Sequence, residues 1–394
     1  MRLGLNGHEK KSKKIGNKVE LMSQKYNGIK SSHRFIGIEL LRWGSALGIL
    51  FWHYQHFFFT KAVHGSSFQD YEDLPLYSIL HPIYMNGAKG VQLFWAISGF
   101  VILHKYGFSS TKISIFVRNR LGRLYPLHLL TLILVGLLQL VSNKLLNESQ
   151  IYFDNTFKNF LKHLFFASGW ESNPSLSFNQ PVWSVSLEIL VYAIFTLVLL
   201  VKRFRRNPKY LWSTVLVGTF LLSNFREVHG LIMCILFFSL GATLRSFLEK
   251  LGSKAALSST VLLFISLFDK YLLGNFLEEF GNNKELNSNV ILLLQITSLI
   301  VIAINLDRIR IIEMKKEKIQ VLGNLTYATY LLHVPFQVFV LVILKLIGLP
   351  VLYFAQNPLS LFGYLLFLNI IAYFTYRYIE LPCNRYVKEF QFRR

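Results

Sequence analysis

Ten apolar segments, most of them about 20 residues long, dominate the sequence. A helix of that length spans the roughly 30 Å hydrocarbon core of a bilayer. Within lipid, a helix also satisfies its backbone hydrogen bonds inside one segment. The sequence therefore predicts an all-α polytopic membrane bundle of about ten transmembrane helices. The predicted spans are 36–59, 80–104, 122–142, 181–201, 210–224, 229–247, 256–274, 289–306, 325–348 and 359–379.

The composition and the charge pattern agree with this class. Charged residues make up only 16% of the 394 residues, and the mean hydropathy is +0.40, whereas soluble proteins carry about 25% charge. A net charge of +21 could suggest nucleic acid as a partner. Lys and Arg are instead concentrated in alternate loops, as in the cytoplasmic loops of membrane proteins. The pattern predicts a lipid bilayer and no nucleic acid as partner, and both termini in the cytoplasm. The expected location is the plasma (inner) membrane of a bacterium, as a multi-pass protein.

The chain divides into three predicted regions. Residues 1–34 form a basic, disordered cytoplasmic tail, 35–385 the ten-helix transmembrane domain, and 386–394 a second basic cytoplasmic tail. No cleavable leader is expected, because the first apolar run is already of spanning length. The two cysteines, Cys234 and Cys383, offer neither a disulfide framework nor a zinc site, and we predict no bound metal.

The first predicted span carries two residues that are costly to place in lipid, Arg42 and His53. Eleven helical residues make three turns plus roughly 20° and rise about 16 Å, so both lie on one face but cannot touch. Glu39 lies three residues before Arg42 and can pair with it. The alternatives are snorkelling for Arg42 and interfacial anchoring for His53. His56, one turn later, is predicted to lie at the interface.

Three arginines, Arg118, Arg120 and Arg123, lie at the predicted cytoplasmic start of the third span. The planar guanidinium fork matches the oxygen atoms of a phosphate group. The cluster therefore predicts a cationic mouth that binds phosphates, with ordinary positive-inside charge as the alternative explanation.

The fourth span presents Ser184, Glu188 and Tyr192 at i, i+4 and i+8, and so on one helical face. A carboxylate within a span indicates a functional site by default. Glu188 could orient His53, hold a substrate hydroxyl, or form a structural ion pair with an arginine.

Two further features have open interpretations. His333 in the ninth span is either a second acid or base or, as its setting favours, a packing residue. The predicted outer segment 143–180 is rich in aromatic residues on which sugars could stack, but an amphipathic interfacial helix is at least as good a reading. The aromatic residues are Tyr152, Phe153, Phe157, Phe160, Phe165, Phe166 and Trp170.

In their order along the chain, these motifs resemble the acyltransferase-3 family of integral-membrane acyltransferases over about residues 35–385. The first span matches the family's acidic-x-x-Arg and Arg-x10-His pattern, and GVQLFWAISGF matches its glycine-rich stretch with Trp95 in place of a Phe. The family's closing Glu-Arg-Pro is Glu-Leu-Pro here, so any role of that arginine is absent. The other matching elements are Arg120-x-x-Arg123 before Tyr-Pro, Trp183-Ser184 with Glu188 and Tyr192, and Tyr327-x-x-Tyr330-x-x-His333.

The resemblance implies O-acylation, usually acetylation, of hydroxyls on cell-surface polysaccharides or glycosylated small molecules. The donor would be cytoplasmic acyl-CoA, with acetyl-CoA expected. The alternative is a proton-coupled transporter or glycan flippase that uses the same buried groups, and a scaffold role is least favoured. The implied site residues are His53 (base or acyl carrier) and Glu188 for catalysis, Arg42, Arg118, Arg120 and Arg123 for the donor, and Glu39, Trp183, Ser184, Tyr192 and His333 for the substrate.

Overall fold

The computed structural model describes residues 34–59, 71–107, 113–201, 207–223, 230–267, 284–309, 312 and 314–389. These residues form helices joined by turns, and they contain no strand. The helices are α1 (Ile36–His53), α2 (Tyr77–Asn86), α3 (Gly90–Ile102), α4 (Ile113–Leu146), α5 (Phe157–Leu164), α6 (Trp183–Leu200), α7 (Pro208–Leu222), α8 (Gly230–Ser246), α9 (Ser253–Leu267), α10 (Lys284–Leu306), α11 (Lys316–Leu346), α12 (Val351–Gln356), α13 (Pro358–Thr375) and α14 (Leu381–Glu389).

Within the part of the chain that the structure describes, five helical segments are long and apolar enough to cross a membrane, and α8 and α9 are shorter apolar helices. Each of the ten predicted spans overlaps at least one helix, so the all-helical class is confirmed, whereas the count of ten and the side of each terminus stay predictions. The span predicted at 80–104 is divided between α2 and α3, and part of 256–274 lies outside the described residues. The five segments are Ile113–Leu146, Gln180–Val198, Asn287–Leu306, Lys316–Leu346 and Pro358–Val387.

The predicted tails are described only in small part. Of 1–34 the structure describes the last residue alone, and of 386–394 it describes 386–389, which continue α14. The remainder of both predicted tails lies outside the described residues.

The closest helix packing uses glycine. A Cβ on Gly99 of α3 would overlap the backbone of Phe238 in α8, and a Cβ on Gly241 of α8 would overlap that of Ala96 in α3. Small residues let helix backbones approach closely in membrane proteins, where association depends on van der Waals packing. This reciprocal contact fixes α3 beside α8, which also packs against α6 and α7.

Helices α1 and α11 form the centre of the bundle. Helix α1 packs against α3, α10 and α11, and α11 packs against α1, α4 and α13. Most residues of α11 from Leu325 to Val338 are buried, as expected for a helix surrounded by others. The two helices that carry His53 and His333 therefore face each other inside the protein.

Candidate functional site: two cavities along one helix

A small cavity lies where α1, α3, α4, α6 and α11 meet, and we call it the arginine cavity. Its volume is about 110 Å³. Apolar side chains of α3, α4 and α6 form the remainder of its wall. Its polar lining residues are Arg42, Ser98, Arg120, Arg123, Ser184, Glu188, Tyr192, Thr326, Tyr327 and Tyr330.

Two of the three arginines are held by carboxylates. Arg42 Nη1 bonds to Glu39 Oε2 at 3.1 Å, and the two side chains are only 17% and 12% exposed. Arg123 Nε lies 4.0 Å from Oε1 of the buried Glu380. Partnered charges cost much less to bury than lone ones, and a fixed guanidinium presents its remaining donors in a defined direction.

The third arginine, Arg120, lies over aromatic rings. Its guanidinium carbon is 5.4 Å from the centroid of Tyr192 and 6.0 Å from that of Phe116, within the range of cation–π attraction. The Tyr192 hydroxyl donates to Glu188, and Ser98 Oγ lies 3.0 Å from the Tyr192 hydroxyl. Because the Tyr192 proton goes to Glu188, Ser98 is the donor of the second hydrogen bond.

A larger cavity opens around the carboxyl end of α1, and we call it the histidine cavity. Its volume is about 510 Å³. It is bordered by the turn after α1, by the segment between α4 and α6, and by the beginning of α6. Its lining residues include Trp52, His53, Gln55, His56, Tyr152, Glu171, Gln180 and Trp183.

Three imidazole rings form a triangular cluster beside this cavity, in which the centroids of His56 and His333 are 6.4 Å apart. The centroid of His53 lies 4.7 Å from that of His56 and 4.7 Å from that of His333. Nδ1 of His333 bonds to the carbonyl of Tyr330. Within the described residues, no three His, Cys, Asp or Glu side chains meet in an arrangement that could hold a metal ion.

A thin wall of side chains separates the two cavities. The Tyr330 hydroxyl donates to the Pro181 carbonyl at 2.6 Å, and Ser184 Oγ lies 2.8 Å from the Tyr330 hydroxyl. Trp95 packs edge-on against Trp183 at 5.8 Å. Tyr330, Ser184 and Trp95 line the arginine cavity, while Pro181 and Trp183 line the histidine cavity, so the wall is two residues thick at these contacts.

The segment between α4 and α6 is anchored to the bundle. Gln139 and Gln150 exchange two hydrogen bonds of 2.8 and 2.9 Å, and Lys345 bonds to Glu148 at 2.6 Å.

Burial lowers the pKa of His163 in α5 to about 3, and neighbouring His128 adds to the effect. Helix α5 is amphipathic, as one sequence interpretation expected, and of the aromatic residues noted there Tyr152 lines the histidine cavity.

The structure divides the predicted site residues between the cavities. The face predicted for Ser184, Glu188 and Tyr192 does line one cavity, but that cavity holds the arginines and not His53. Arg118 lines neither cavity. Of the remaining predicted residues, Arg42, Arg120 and Arg123 line the arginine cavity, Glu39 pairs with Arg42, Trp183 and His53 line the histidine cavity, and His333 packs on His53.

The sequence interpretation for His56 is corrected by the structure. Its ring is buried rather than interfacial, with Nδ1 2.8 Å from Gln337 Oε1 and Nε2 3.1 Å from the Tyr152 hydroxyl. The sequence interpretation assigned no role to Gln337 and named Tyr152 only among the aromatic residues on which sugars could stack. The three-residue spacing of His53 and His56 was the available signal that both rings lie on the same side of the chain. Residues three apart are aligned in a 3-10 turn, and Tyr54–Phe58 is such a turn.

Fold and site together define a helical membrane protein in which one helix, α1, contributes Arg42 to an arginine cluster and His53 to a histidine cluster. The family model for the acyltransferase domain of the acyltransferase-3 type matches residues 35–377, and the chain belongs to this family. It is 27% identical over 159 residues to the acyltransferase MdmB of Streptomyces mycarofaciens, a match that covers 40% of this chain and 37% of that protein. No solved structure matches the chain.

Proposed function

We propose that the protein is a membrane O-acyltransferase that moves an acyl group, most simply acetyl, from cytoplasmic acyl-CoA to a hydroxyl of a cell-surface glycan. One observation carries the proposal. Helix α1 contributes Arg42 to one cavity and His53 to the other, about 16 Å apart along the helix axis. A cation for the donor and a base for the acceptor thus belong to one rigid element.

The arginine cavity suits the donor. About 110 Å³ is room for three or four water molecules at roughly 30 Å³ each, so the nucleotide of acyl-CoA stays outside and only the thioester end enters. Arg42, Arg120 and Arg123 then meet the phosphates at the mouth, where bidentate guanidinium contacts are strong. Glu188, bonded to Tyr192, balances their charge on the donor side.

The histidine cavity suits the acceptor. Its volume of about 510 Å³ lies within the range typical of small-molecule sites. Trp52 and Trp183 supply flat faces for a sugar ring, and Gln55 and Gln180 supply polar groups. The acceptor hydroxyl approaches His53, while the acyl thioester reaches it through the wall formed by Ser184 and Tyr330.

The chemical step transfers the acyl group from sulfur to oxygen. A neutral imidazole at His53 takes the proton of the acceptor hydroxyl. The hydroxyl oxygen attacks the thioester carbonyl, the carbon–sulfur bond breaks, and the thiolate of CoA takes up a proton as it leaves. If His53 carries the acyl group itself, the same bonds are exchanged in two steps through an acyl-imidazole.

The orientation follows the distribution of Lys and Arg. We place the chain in the plasma membrane of a bacterium with both termini in the cytoplasm, so that the Ile36 end of α1 faces the acyl-CoA pool. The histidine cavity then opens toward the outer surface, where cell-surface glycans are accessible.

The test is mass spectrometry of surface glycans from cells that express the wild type or His53→Ala. We expect loss of the acyl group in His53→Ala, because a positioned general base contributes roughly 10²–10⁴-fold. Immunoblotting of the membrane fraction controls for insertion. Near-normal acylation by a well-inserted His53→Ala would remove His53 from the mechanism. If the surface glycan carries no acyl group in either strain, but reaches the outer surface with the wild type and not with His53→Ala, a flippase would be favoured.

A further inference from the structure

A buried hydrogen-bond chain connects the segment between α4 and α6 to the end of α1. The Tyr152 hydroxyl lies 3.1 Å from Nε2 of His56, and Nδ1 of His56 lies 2.8 Å from Oε1 of Gln337. Nε2 of Gln337 donates to the carbonyl of His53 at 2.8 Å. Tyr152, His56 and Gln337 are at most 5% exposed, so these bonds are largely shielded from bulk water.

The direction of every bond in the chain follows from one end. The carbonyl of His53 can only accept, so it receives the amide N–H of Gln337, whose oxygen must then accept from His56. His56 is therefore protonated at Nδ1 and accepts at Nε2 from the hydroxyl of Tyr152. Burial raises the pKa of Tyr152, which agrees with a neutral phenol that donates.

This order occupies both ring nitrogens of His56. His333 is also fixed, because its Nδ1 must be the donor to the carbonyl of Tyr330. The ring of His53 packs against both of these imidazoles, and its Nδ1 is buried without a hydrogen-bond partner among the described residues. Nε2 of His333 is also without a hydrogen-bond partner in the part of the chain that the structure describes, but it is buried and His333 does not line the cavity, so His53 is the ring of the cluster that offers a base to the cavity.

We propose that Tyr152, His56 and Gln337 are positioning residues, which fix the end of α1 and the ring of His53 for proton transfer. The catalytic half of this inference rests on the proposed acyltransferase function, whereas the hydrogen-bond order of the chain does not. It follows that the segment between α4 and α6 is part of the catalytic machinery through Tyr152, and not only a cover over the cavity.

The first variant is Tyr152→Phe, which removes the donor and keeps the ring. We expect kcat for acyl transfer to fall about 10- to 100-fold, the usual effect of misplacing a reacting group by about 1 Å. KM for acyl-CoA should not change, because the arginines line the other cavity. The matched control is Tyr84→Phe in α2, a buried tyrosine whose hydroxyl donates to the Pro75 carbonyl at 3.1 Å and which lines neither cavity.

The second comparison uses two replacements of His56. The amide nitrogen of Asn lies close to the position of the imidazole Nδ1, so His56→Asn keeps the donor to Gln337, while His56→Ala loses it. We expect kcat for acyl transfer to fall in His56→Ala as it does in Tyr152→Phe. In His56→Asn the decrease in log kcat should be at most half of the decrease in His56→Ala. Equal kcat in His56→Asn and His56→Ala, or equal kcat in Tyr152→Phe and Tyr84→Phe, would overturn the positioning role.

The hydrogen-bond order is measured without any enzyme assay. In protein labelled with ¹⁵N-histidine, the spectrum of His56→Asn subtracted from that of the wild type identifies the His56 signals. We expect a protonated Nδ1 and an unprotonated Nε2, with the Nε2 resonance shifted in Tyr152→Phe and unchanged in Tyr84→Phe. A protonated Nε2 on His56 would overturn the proposed hydrogen-bond order whatever the activity. If the wild-type protein shows the expected tautomer but transfers no acyl group, only the proposed function would be refuted.

Discussion

Replacing Gly323 with alanine tests the arrangement that holds Arg42. The missing side chain of Gly323 in α11 leaves room for Glu39, which pairs with Arg42. An alanine Cβ would lie 2.7 Å from the Cβ of Glu39 and 2.9 Å from its carboxyl carbon. Rotating the carboxylate does not relieve an overlap with its own Cβ, so α1 and α11 have to separate.

The size of the effect follows from two opposing contributions. Overpacking a close contact between two helices costs about 1–3 kcal/mol, and replacing glycine by alanine within a helix returns about 0.5–1 kcal/mol. We therefore expect Gly323→Ala to lower the free energy of unfolding by about 1–2 kcal/mol. Because Arg42 loses its fixed direction, KM for acyl-CoA should also rise.

The assay is thermal unfolding of purified protein in detergent together with acyl-CoA kinetics. Gly363→Ala in α13 is the matched control, because a Cβ there meets nothing within 4 Å, and it should be as stable as the wild type or slightly more so. If Gly323→Ala unfolds at the same temperature as Gly363→Ala and keeps the wild-type KM, the reasoning on Glu39 and Arg42 is refuted.

Four other predictions address separate parts of the account. Arg42→Lys should raise KM for acyl-CoA about tenfold because the bidentate fork is lost, while Arg118→Lys, outside both cavities, should not; equal effects would leave Arg42 no special role. Tyr192→Phe frees Glu188 and Ser98 from their shared hydroxyl and should raise KM for acyl-CoA without changing insertion; an unchanged KM would exclude this hydroxyl from the donor site. Burial lowers the pKa of His163, so protonation of its ring destabilises the fold. The segment between α4 and α6 should therefore become more sensitive to limited proteolysis as the pH falls below about 6.5 toward 3. His163→Gln should lose this pH dependence, and a variant that keeps it would assign the effect to another group. In a chain without native cysteines, Lys158→Cys, exposed in α5, should react with an impermeant thiol reagent in intact cells; reaction only after permeabilisation would invert the orientation.

Local helix geometry made part of the site predictable. Three-residue spacing predicts the bond between Glu39 and Arg42, and the structure has it at 3.1 Å. Four-residue spacing predicts that Ser184, Glu188 and Tyr192 share a face, and all three line one cavity. Both inferences needed only the period of a single helix.

Contacts between helices were not predictable in the same way. A single sequence does not say which helix faces meet across the bundle. The sequence was therefore equally consistent with Glu188 as a partner of His53 and with Glu188 as a partner of the arginines, whose cavity it lines. The carboxylate of Glu380 near Arg123 depends on a π turn, Tyr376–Glu380, which shifts the register after α13. His56 turns inward because α1 tightens into a 3-10 turn after His53, and the apolar pattern gives no signal for that change.

The central claim is that donor and acceptor approach from opposite faces and meet at His53. Right-side-out membrane vesicles from expressing cells, loaded with radiolabelled acetyl-CoA, test it most directly because the native surface glycan stays outside. We predict that label appears on the outer glycan with the wild type and is lost with His53→Ala. Label that appears only when acetyl-CoA is added outside the vesicles, or that is transferred equally by His53→Ala, would contradict the account.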